Sequence, residues 1–347
     1  ANIYNILNFE NVFTGAKIIK LEQNYRSTQT ILNAANAVIS NNIGRKSKSL
    51  WTDNGEGEKV NYTLYENGYD EAEGVASGIA EYVRDGWNYN DVAILYRTNA
   101  QSRALEEKLM IHNIPYKIYG GQNFYQRKEI KDILAYLKTI DNGLDGQAVK
   151  RIINVPKRGI GNTTIDRLQE YADFNDITFW EALVNAKDID TIKNAALSKL
   201  EPFVDLIGRL RAKEEFMSLK ELAEAVIEDT GYIESLSQNE TVEEVEARRE
   251  NLDEFINKVV SYEESCKEAG EEPTLSGLLE EVALIADIDN LDESEPHVML
   301  MTLHSAKGLE FPIVYMTGME DGLFPSYMTI VSDDSTEIEE ERRLCYV

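Results

Sequence analysis

Residues 301–311, MTLHSAKGLEF, place several reactive side chains within one short stretch of the chain. The stretch supplies hydroxyl, imidazole, ammonium and carboxylate groups, carried by Thr302, His304, Ser305, Lys307 and Glu310. Gly308, which lies among them, lets the backbone turn or approach a ligand closely. These residue types at this spacing predict a ligand-binding turn. An ordinary junction between a strand and a loop, with one isolated histidine, is the alternative.

Apolar runs on both sides of this turn predict buried strands. Residues 298–301 precede the turn and residues 313–316 follow it, and short continuous apolar runs are typical of parallel strands that are buried on both faces. In open α/β sheets, ligands bind outside the carboxyl ends of the strands. We therefore expect the turn to lie at that edge of a parallel sheet.

The rest of the chain predicts an α/β domain that is interrupted by a helical one. Up to about residue 138, strands predicted at 17–21, 60–65 and 92–96 alternate with helices predicted at 28–40, 71–84 and 102–112, which is typical of a parallel sheet covered by helices. From residue 141 the pattern predicts helices alone, over 147–153, 164–174, 179–185, 190–214, 219–230, 242–269 and 275–285. We predict the α/β domain over 1–140 and 293–347, and an inserted all-α domain over 141–292.

The composition favours a cytoplasmic protein without a membrane anchor. The chain has 347 residues, 43% of them hydrophobic, which is enough to bury cores in two domains. No run approaches the roughly 18 apolar residues of a membrane span, and the N-terminus does not combine a basic region with an apolar stretch. The two cysteines, Cys266 and Cys345, are most simply reduced thiols.

The formal net charge of −27, taken alone, argues against a nucleic-acid partner, because phosphate contacts rely on clustered Lys and Arg. Acidic residues concentrate over 214–295, however, whereas basic residues cluster elsewhere in the chain. These basic residues are Arg97, Arg103, those of 127–131, Lys150, Arg151, Lys157 and Arg158. A molecule with such separated charges could still bind DNA on one face.

Two further strand ends carry polar residues. Arg26 lies just beyond the first predicted strand, where its guanidinium could reach a phosphate held by another domain, or could instead pair with Glu22 or a helix end. Arg97 and Asn99 follow the strand predicted at 92–96 in the same way. Asn99 could instead be the N-cap of the next helix.

The sequence PKRGIG at 156–161 precedes a predicted helix. Its glycines, Gly159 and Gly161, would let backbone N–H groups converge on a phosphate, and the helix N-terminus would add a favourable field. Lys157 and Arg158 would add positive charge. The same turn could be only a tight connection between two helices.

Two of these stretches resemble motifs of one family when they are taken together. TLHSAKGLEF, at 302–311, resembles motif V of superfamily 1A DNA helicases of the UvrD/PcrA/Rep group, and LEQNYRS, at 21–27, resembles motif IV. Further similarity lies at 94–107, 114–137 and 151–161, and it is weakest over 191–295. The resemblance therefore covers nearly the whole chain.

The resemblance implies a RecA-like α/β domain, termed 2A, with an inserted helical domain, termed 2B. It implies that Arg26 is an arginine finger toward ATP. It also implies ATP contacts for Tyr25, Gly308 and Glu310, with Tyr25 on the adenine and Glu310 on the ribose. The implied contacts to single-stranded DNA are Arg97, Asn99, Thr302 and His304. The implied contacts to duplex DNA are Lys157, Arg158, Gly159, Gly161 and Thr164.

The resemblance further implies a fragment of an ATP-dependent 3′–5′ DNA helicase. No GxxxxGK[ST] sequence occurs in the chain, so we expect the phosphate loop and the Mg²⁺ ligands in a missing N-terminal RecA-like domain. EEERRLCYV, at 339–347, resembles the approach to motif VI, whose second arginine would follow. We expect the isolated fragment to be inactive.

The expected partners are single-stranded DNA, junctions of single-stranded and duplex DNA, the missing domain, and repair or replication initiator proteins. The alternative is a non-enzymatic, acidic module that binds DNA ends or proteins.

Overall fold

The structure is a computed structural model that describes residues 9–13, 15–45, 48–238, 240–288 and 296–347. Contacts within the chain divide it into two compact units, and each is described by itself. The sheet unit comprises Ala1–Arg97, Ile114–Gly120 and Pro296–Val347, and the helical unit comprises Thr98–Asn113 and Gly121–Glu295. The contacts thus assign 98–113 and 121–140 to the helical unit, whereas the sequence assigns them to the α/β domain. The domain boundaries drawn from the sequence remain a prediction.

A four-stranded parallel sheet forms the centre of the sheet unit. Its strands are β1 (Val92–Tyr96), β2 (Tyr116–Ile118), β3 (Val298–Thr302) and β4 (Ile313–Met316), arranged in the order β2-β3-β1-β4. Ile94 pairs with Leu300 on one side and with Tyr315 on the other. The apolar residues of β1 and β3 are largely buried because parallel strands are covered on both faces. The predicted α/β class with a parallel sheet is confirmed.

The described helices account for most of the remaining chain. In chain order they are α1 (Phe9–Val12), α2 (Gln29–Ser40), α3 (Gly68–Arg84), α4 (Ser102–Ile111), α5 (Lys128–Asp141), α6 (Gly146–Ile152), α7 (Asn162–Asn175), α8 (Phe179–Val184), α9 (Asn194–Glu214), α10 (Leu219–Thr230), α11 (Tyr232–Leu236), α12 (Val242–Ala269), α13 (Leu275–Ile288), α14 (Tyr327–Val331) and α15 (Ser335–Tyr346). Short 3₁₀ turns lie at Tyr89–Asp91, Asn99–Gln101, Phe124–Gln126 and Ala186–Asp188. The helices predicted from the sequence are all present, with ends that shift by a few residues.

Two predicted strands are wrong. Residues 17–21 and 60–65 have no regular secondary structure, and they form no ladder with any other part of the described chain. Their apolar side chains are mostly exposed, as at Ile19 and Leu64. β-branched and aromatic residues favour extended backbone, but a strand also requires a hydrogen-bonding neighbour.

Local sequence explains where three helices of the helical unit begin. In each, a Ser or Thr hydroxyl accepts the backbone N–H of a Glu three residues later, and that Glu accepts the backbone N–H of the Ser or Thr. The helices are α8, α10 and α12, which begin after Thr178, Ser218 and Thr241. The hydrogen bonds from the capping residues lower the pKa of each capping glutamate, because they stabilise its charged form.

The core of the helical unit surrounds α5. This helix contacts α6, α9, α10, α12 and α13, and its buried residues include Ile133, Tyr136 and Ile140. From α12, the side chain of Phe255 enters the same core with 0% exposure. Apolar burial of this kind is the main source of stability for helices that would be marginal alone.

Two arginines that the sequence assigned to a basic face are buried inside the helical unit. Arg103, 1% exposed, donates to Glu107 at 3.0 Å and to Glu254 at 2.9 Å. Arg127 donates to the side-chain oxygen of Asn251 at 2.8 Å. Buried charges are retained only when they are paired and hydrogen-bonded. The expectation that Arg103 and Arg127 belong to an exposed basic face is therefore wrong.

Phe255→Ala is expected to lower the free energy of unfolding of the helical unit by about 3–5 kcal/mol, because it leaves a cavity at a fully buried position. Urea unfolding followed by far-UV circular dichroism measures the change. The matched control is Phe174→Ala, at a side chain that is 88% exposed, for which we expect a change within about 0.5 kcal/mol. Equal effects of the two substitutions would contradict the packing described for α12.

Candidate functional site

Arg26 and Glu310, 284 residues apart in the chain, form an ion pair in the sheet unit. The Nε atom of Arg26 lies 3.3 Å from Oε2 of Glu310. Both side chains are well exposed, at 47% and 73%, so the pair contributes only about 0–1 kcal/mol. The structure thus brings together the two stretches, 21–27 and 301–311, that the sequence identified separately. A pair between Arg26 and Glu22 is not among the described contacts.

The turn that carries Arg26 is held by side-chain amides. The Asn24 Oδ1 atom accepts the backbone N–H groups of Arg26 at 2.9 Å and Ser27 at 2.8 Å. From the other side, Asn54 donates to the backbone carbonyls of Tyr25 at 3.0 Å and Ser27 at 3.3 Å. The backbone is therefore fixed, while the ring of Tyr25, 78% exposed, points an aromatic surface toward solvent.

The loop after β3 is also tied to the sheet. Leu303 donates its backbone N–H to the carbonyl of Tyr96, at the end of β1, at 2.8 Å. The hydroxyls of Thr302 and Ser305 lie 2.9 Å apart. Gly308 has a φ of +93° with open space where a Cβ would stand, so its backbone conformation, rather than crowding, requires glycine. Lys307 and Glu310, on either side of Gly308, are exposed.

Arg97, the residue after β1, is held by Glu341 on α15. Its Nη2 atom lies 2.9 Å from Oε1 of Glu341, and its Nε atom lies 3.1 Å from Oε2. His304 is exposed, and its pKa lies below the ordinary value. Partial removal of the ring from water is the main cause, followed by the positive charge of Arg97, while Glu341 acts in the opposite direction. The carboxyl end of the sheet thus places Arg97, Glu341 and His304 within electrostatic reach of one another.

Asn99 does not cap the helix that follows it. It is exposed and begins the 3₁₀ turn Asn99–Gln101, whose N-cap is Thr98. The N-cap of α4 is Gln101. The alternative role considered for Asn99 is therefore wrong.

Arg158 supports the PKRGIG turn from within the helical unit. Its Nη1 atom donates to the carbonyl of Ile152 at 2.9 Å, and its Nη2 atom donates to the hydroxyl of Tyr136 at 2.6 Å. The guanidinium also lies 5.0 Å from the ring centre of Phe203. A guanidinium with such partners stabilises the turn rather than extending toward a ligand.

The outer side of the same turn borders a cavity of about 320 Å³ lined by Gly159, Ile160, Gly161, Thr164, Ala195, Ala196 and Lys199. Lys199 donates to the carbonyl of Gly159 at 2.9 Å. Gly161 is the N-cap of α7 and supplies no side-chain cap. Lys157, at the start of the same PKRGIG turn, is exposed. The cavity therefore combines a helix N-terminus with a lysine, which are the features of a phosphate-binding site.

Two residues at these sites were not identified from the sequence. Glu341 lies in the stretch 339–347, where nothing in the residue order indicates a partner 244 positions away. Lys199 lies on α9, 40 positions after Gly159. Only the folded chain brings each to its site.

Over the described ranges, no three His, Cys, Asp or Glu side chains come together as metal ligands would. No described helix is both long enough and apolar enough to cross a membrane.

Comparison with known proteins agrees with this architecture and with the motifs. Residues 19–347 match the family described as UvrD-like helicase C-terminal domain, so the chain belongs to that family. The resemblance to the UvrD/PcrA/Rep group and the RecA-like fold class are confirmed.

Similar proteins include the ATP-dependent DNA helicase PcrA of Staphylococcus aureus, to which the chain is 49% identical over all 347 residues. PcrA of Staphylococcus epidermidis is 48% identical over the same length. The chain covers 47% of each of these proteins, so it spans about half the length of its curated relatives.

Removal of the positive charge at Arg97 is expected to raise the pKa of His304, because that charge disfavours the imidazolium form. Titration of the histidine ring resonances by NMR, in the unaltered protein and in Arg97→Gln, measures the change. The control is Arg84→Gln, at an exposed arginine of α3, for which no change is expected. A pKa of His304 that falls or stays constant in Arg97→Gln would be inconsistent with this electrostatic contact.

Arg158→Ala is expected to lower the free energy of unfolding of the helical unit by about 2–3 kcal/mol, since it removes charge-assisted hydrogen bonds to a carbonyl and to Tyr136. Lys157→Ala, its exposed neighbour, should change that energy by no more than about 0.5 kcal/mol. Denaturant unfolding of both variants makes the comparison. If Arg158→Ala were as stable as Lys157→Ala, the supporting role of Arg158 would be refuted.

Proposed function

We propose that this chain supplies about half of an ATP-driven DNA helicase that moves 3′ to 5′ on single strands. The observation that carries the proposal is the contact between Arg26 and Glu310, because it joins the two family motifs at one exposed place in the sheet unit. The membership of the chain in the UvrD-like family supports it.

ATP with Mg²⁺ would bind against the sheet unit at Arg26 and Glu310. The weakly held guanidinium of Arg26 would reach the γ-phosphate and stabilise the charge that develops during phosphoryl transfer. Tyr25 would pack on the adenine, and Glu310 would accept hydrogen bonds from the ribose hydroxyls. Gly308 would let the backbone approach the nucleotide closely. The phosphate loop and the Mg²⁺ ligands would come from a RecA-like domain outside these 347 residues, so we expect this chain alone to be inactive.

Single-stranded DNA would bind along the carboxyl end of the sheet. The hydroxyl of Thr302, the imidazole of His304 and the guanidinium of Arg97 are groups that hydrogen-bond to phosphate oxygens. Asn99, which begins the helical unit's first 3₁₀ turn, is a further proposed contact to single-stranded DNA. As the ATP cleft opens and closes, single-stranded DNA would be bound tightly by these residues and by the RecA-like domain outside the 347 residues in turn.

Duplex DNA at a junction with a single strand would bind to the PKRGIG turn. Lys157, Gly159, Gly161 and Thr164 would contact the phosphates, and we add Lys199 because it lines the same cavity. Arg158, which the sequence placed among the contacts, would act by supporting the turn. A protein of this kind would work in the cytoplasm, with repair or replication initiator proteins as partners.

Arg26→Ala is expected to reduce DNA-stimulated ATP hydrolysis by about a thousandfold, the size typical of an arginine finger, while leaving DNA affinity nearly unchanged. The test uses the product of the complete gene, with ATPase and DNA-binding assays on the same preparation. Arg84→Ala, at another exposed arginine of the sheet unit, is the control. Normal hydrolysis by Arg26→Ala would refute the nucleotide site, and complete absence of hydrolysis in the unaltered protein would favour the non-enzymatic module.

A further inference from the structure

The contact between Arg97 and Glu341 assigns a role to a residue that the motifs leave without one. We propose that Glu341 is a positioning residue, which holds the guanidinium of Arg97 in the orientation that contacts single-stranded DNA. The inference rests on the function proposed above, because it concerns the same group of residues at the carboxyl end of the sheet.

The geometry of the pair fixes the plane of the guanidinium. Both carboxylate oxygens of Glu341 engage the edge formed by Nε and Nη2 of Arg97, at distances of 2.9–3.3 Å. Such two-point contacts fix the orientation of the guanidinium in addition to the electrostatic attraction that they supply. Nη1 of Arg97 consequently points away from Glu341, and this is the side that would meet a phosphate.

Burial distinguishes this pair from the one at the nucleotide site. The side chains of Arg97 and Glu341 are 25% and 11% exposed, whereas those of Arg26 and Glu310 are largely in solvent. Water screens a partly buried pair less and competes with it less. Arg97 is thus held in place, while Arg26 remains able to move.

Glu341 is itself fixed by the anchoring of α15. Two residues earlier on the helix, the carboxylate of Glu339 accepts the backbone N–H of Ile43 at 2.7 Å and that of Gly44 at 3.2 Å. Asn42 donates to the backbone carbonyl of Glu339 at 2.8 Å. These contacts lie in the turn that follows α2, so α15 cannot shift without breaking them. The orientation of Arg97 therefore depends on a helix that is fastened at a separate place.

A positioning role and a purely electrostatic role of Glu341 predict opposite effects of Glu341→Gln on DNA binding. Glu341→Gln removes a negative charge close to a site for a polyanion, which should strengthen DNA binding if charge alone matters. If Glu341 positions Arg97, the same substitution should weaken binding. The sign of the change decides between the two roles.

The experiment measures the affinity of the complete gene product for fluorescently labelled oligo(dT), without nucleotide, by anisotropy at several salt concentrations. We expect Glu341→Gln to weaken binding about tenfold, the effect of losing one charge-assisted hydrogen bond. We also expect the slope of log K against log[salt] to fall by about 0.7, the value for one lost phosphate contact on a single strand. Glu337→Gln, at an exposed carboxylate of the same helix, is the matched control and should not weaken binding.

Two further variants separate positioning from a general loss of structure. Glu341→Asp keeps a carboxylate and should restore part of the affinity that Glu341→Gln loses. Arg97→Ala should weaken binding by itself, and Glu341→Gln should then cause no additional loss, because the residue that it positions is absent.

The results distinguish the two proposals. Stronger or unchanged binding by Glu341→Gln, together with weaker binding by Arg97→Ala, would overturn the positioning role and leave the DNA site in place. Unchanged binding by both Arg97→Ala and Thr302→Ala would instead refute the DNA site itself. Additive losses for Glu341→Gln and Arg97→Ala would also overturn the positioning role.

Discussion

The parallel ladder between β1 and β3 is the interaction on which the rest of the site depends. Its partners, such as Ile94 and Leu300, are about 200 residues apart in sequence, so the intervening chain must leave the sheet and return in the correct register. Because the two strands are parallel, their carboxyl ends meet at one edge. Arg97 directly follows the end of β1, and Thr302 is the last residue of β3. A shift of one residue in the register would displace the two ends by about 3.3 Å along the strand direction and separate the residues that follow.

The sequence predicts the features that are encoded locally and misses those that depend on a distant partner. The apolar runs of β1, β3 and β4 identify strands, and helix positions follow from periodicity and capping residues. Residues 17–21 and 60–65 have the composition of strands, but they pair with no strand of the described chain. The sequence alone does not show that Arg103 is buried, because its partner Glu254 lies 151 residues away along the chain. The pairing of Arg26 with Glu310 could be anticipated only from the order of two motifs.

The arginines of the chain have different roles that depend on their acceptors. Arg103 and Arg158 are satisfied within the helical unit, by carboxylates in one case and by a carbonyl and a hydroxyl in the other. Arg97 is fixed at one edge by a carboxylate, and Arg26 has only a weak contact in solvent. Arg103 and Arg158 are therefore not expected to contact phosphates, although the chain contains 35 Lys and Arg residues in all. Hydroxyls and backbone N–H groups, which add no charge, supply the other donors at the proposed sites.

Under the proposed function, a bound nucleotide would replace the contact between Arg26 and Glu310. Neither group would be left without a partner, because the guanidinium could transfer to a phosphate oxygen while the carboxylate transfers to the ribose hydroxyls. The number of hydrogen bonds would be preserved, and each of the two charged groups would keep a partner after they separate. Because both side chains are exposed, the ion pair between Arg26 and Glu310 costs little to break.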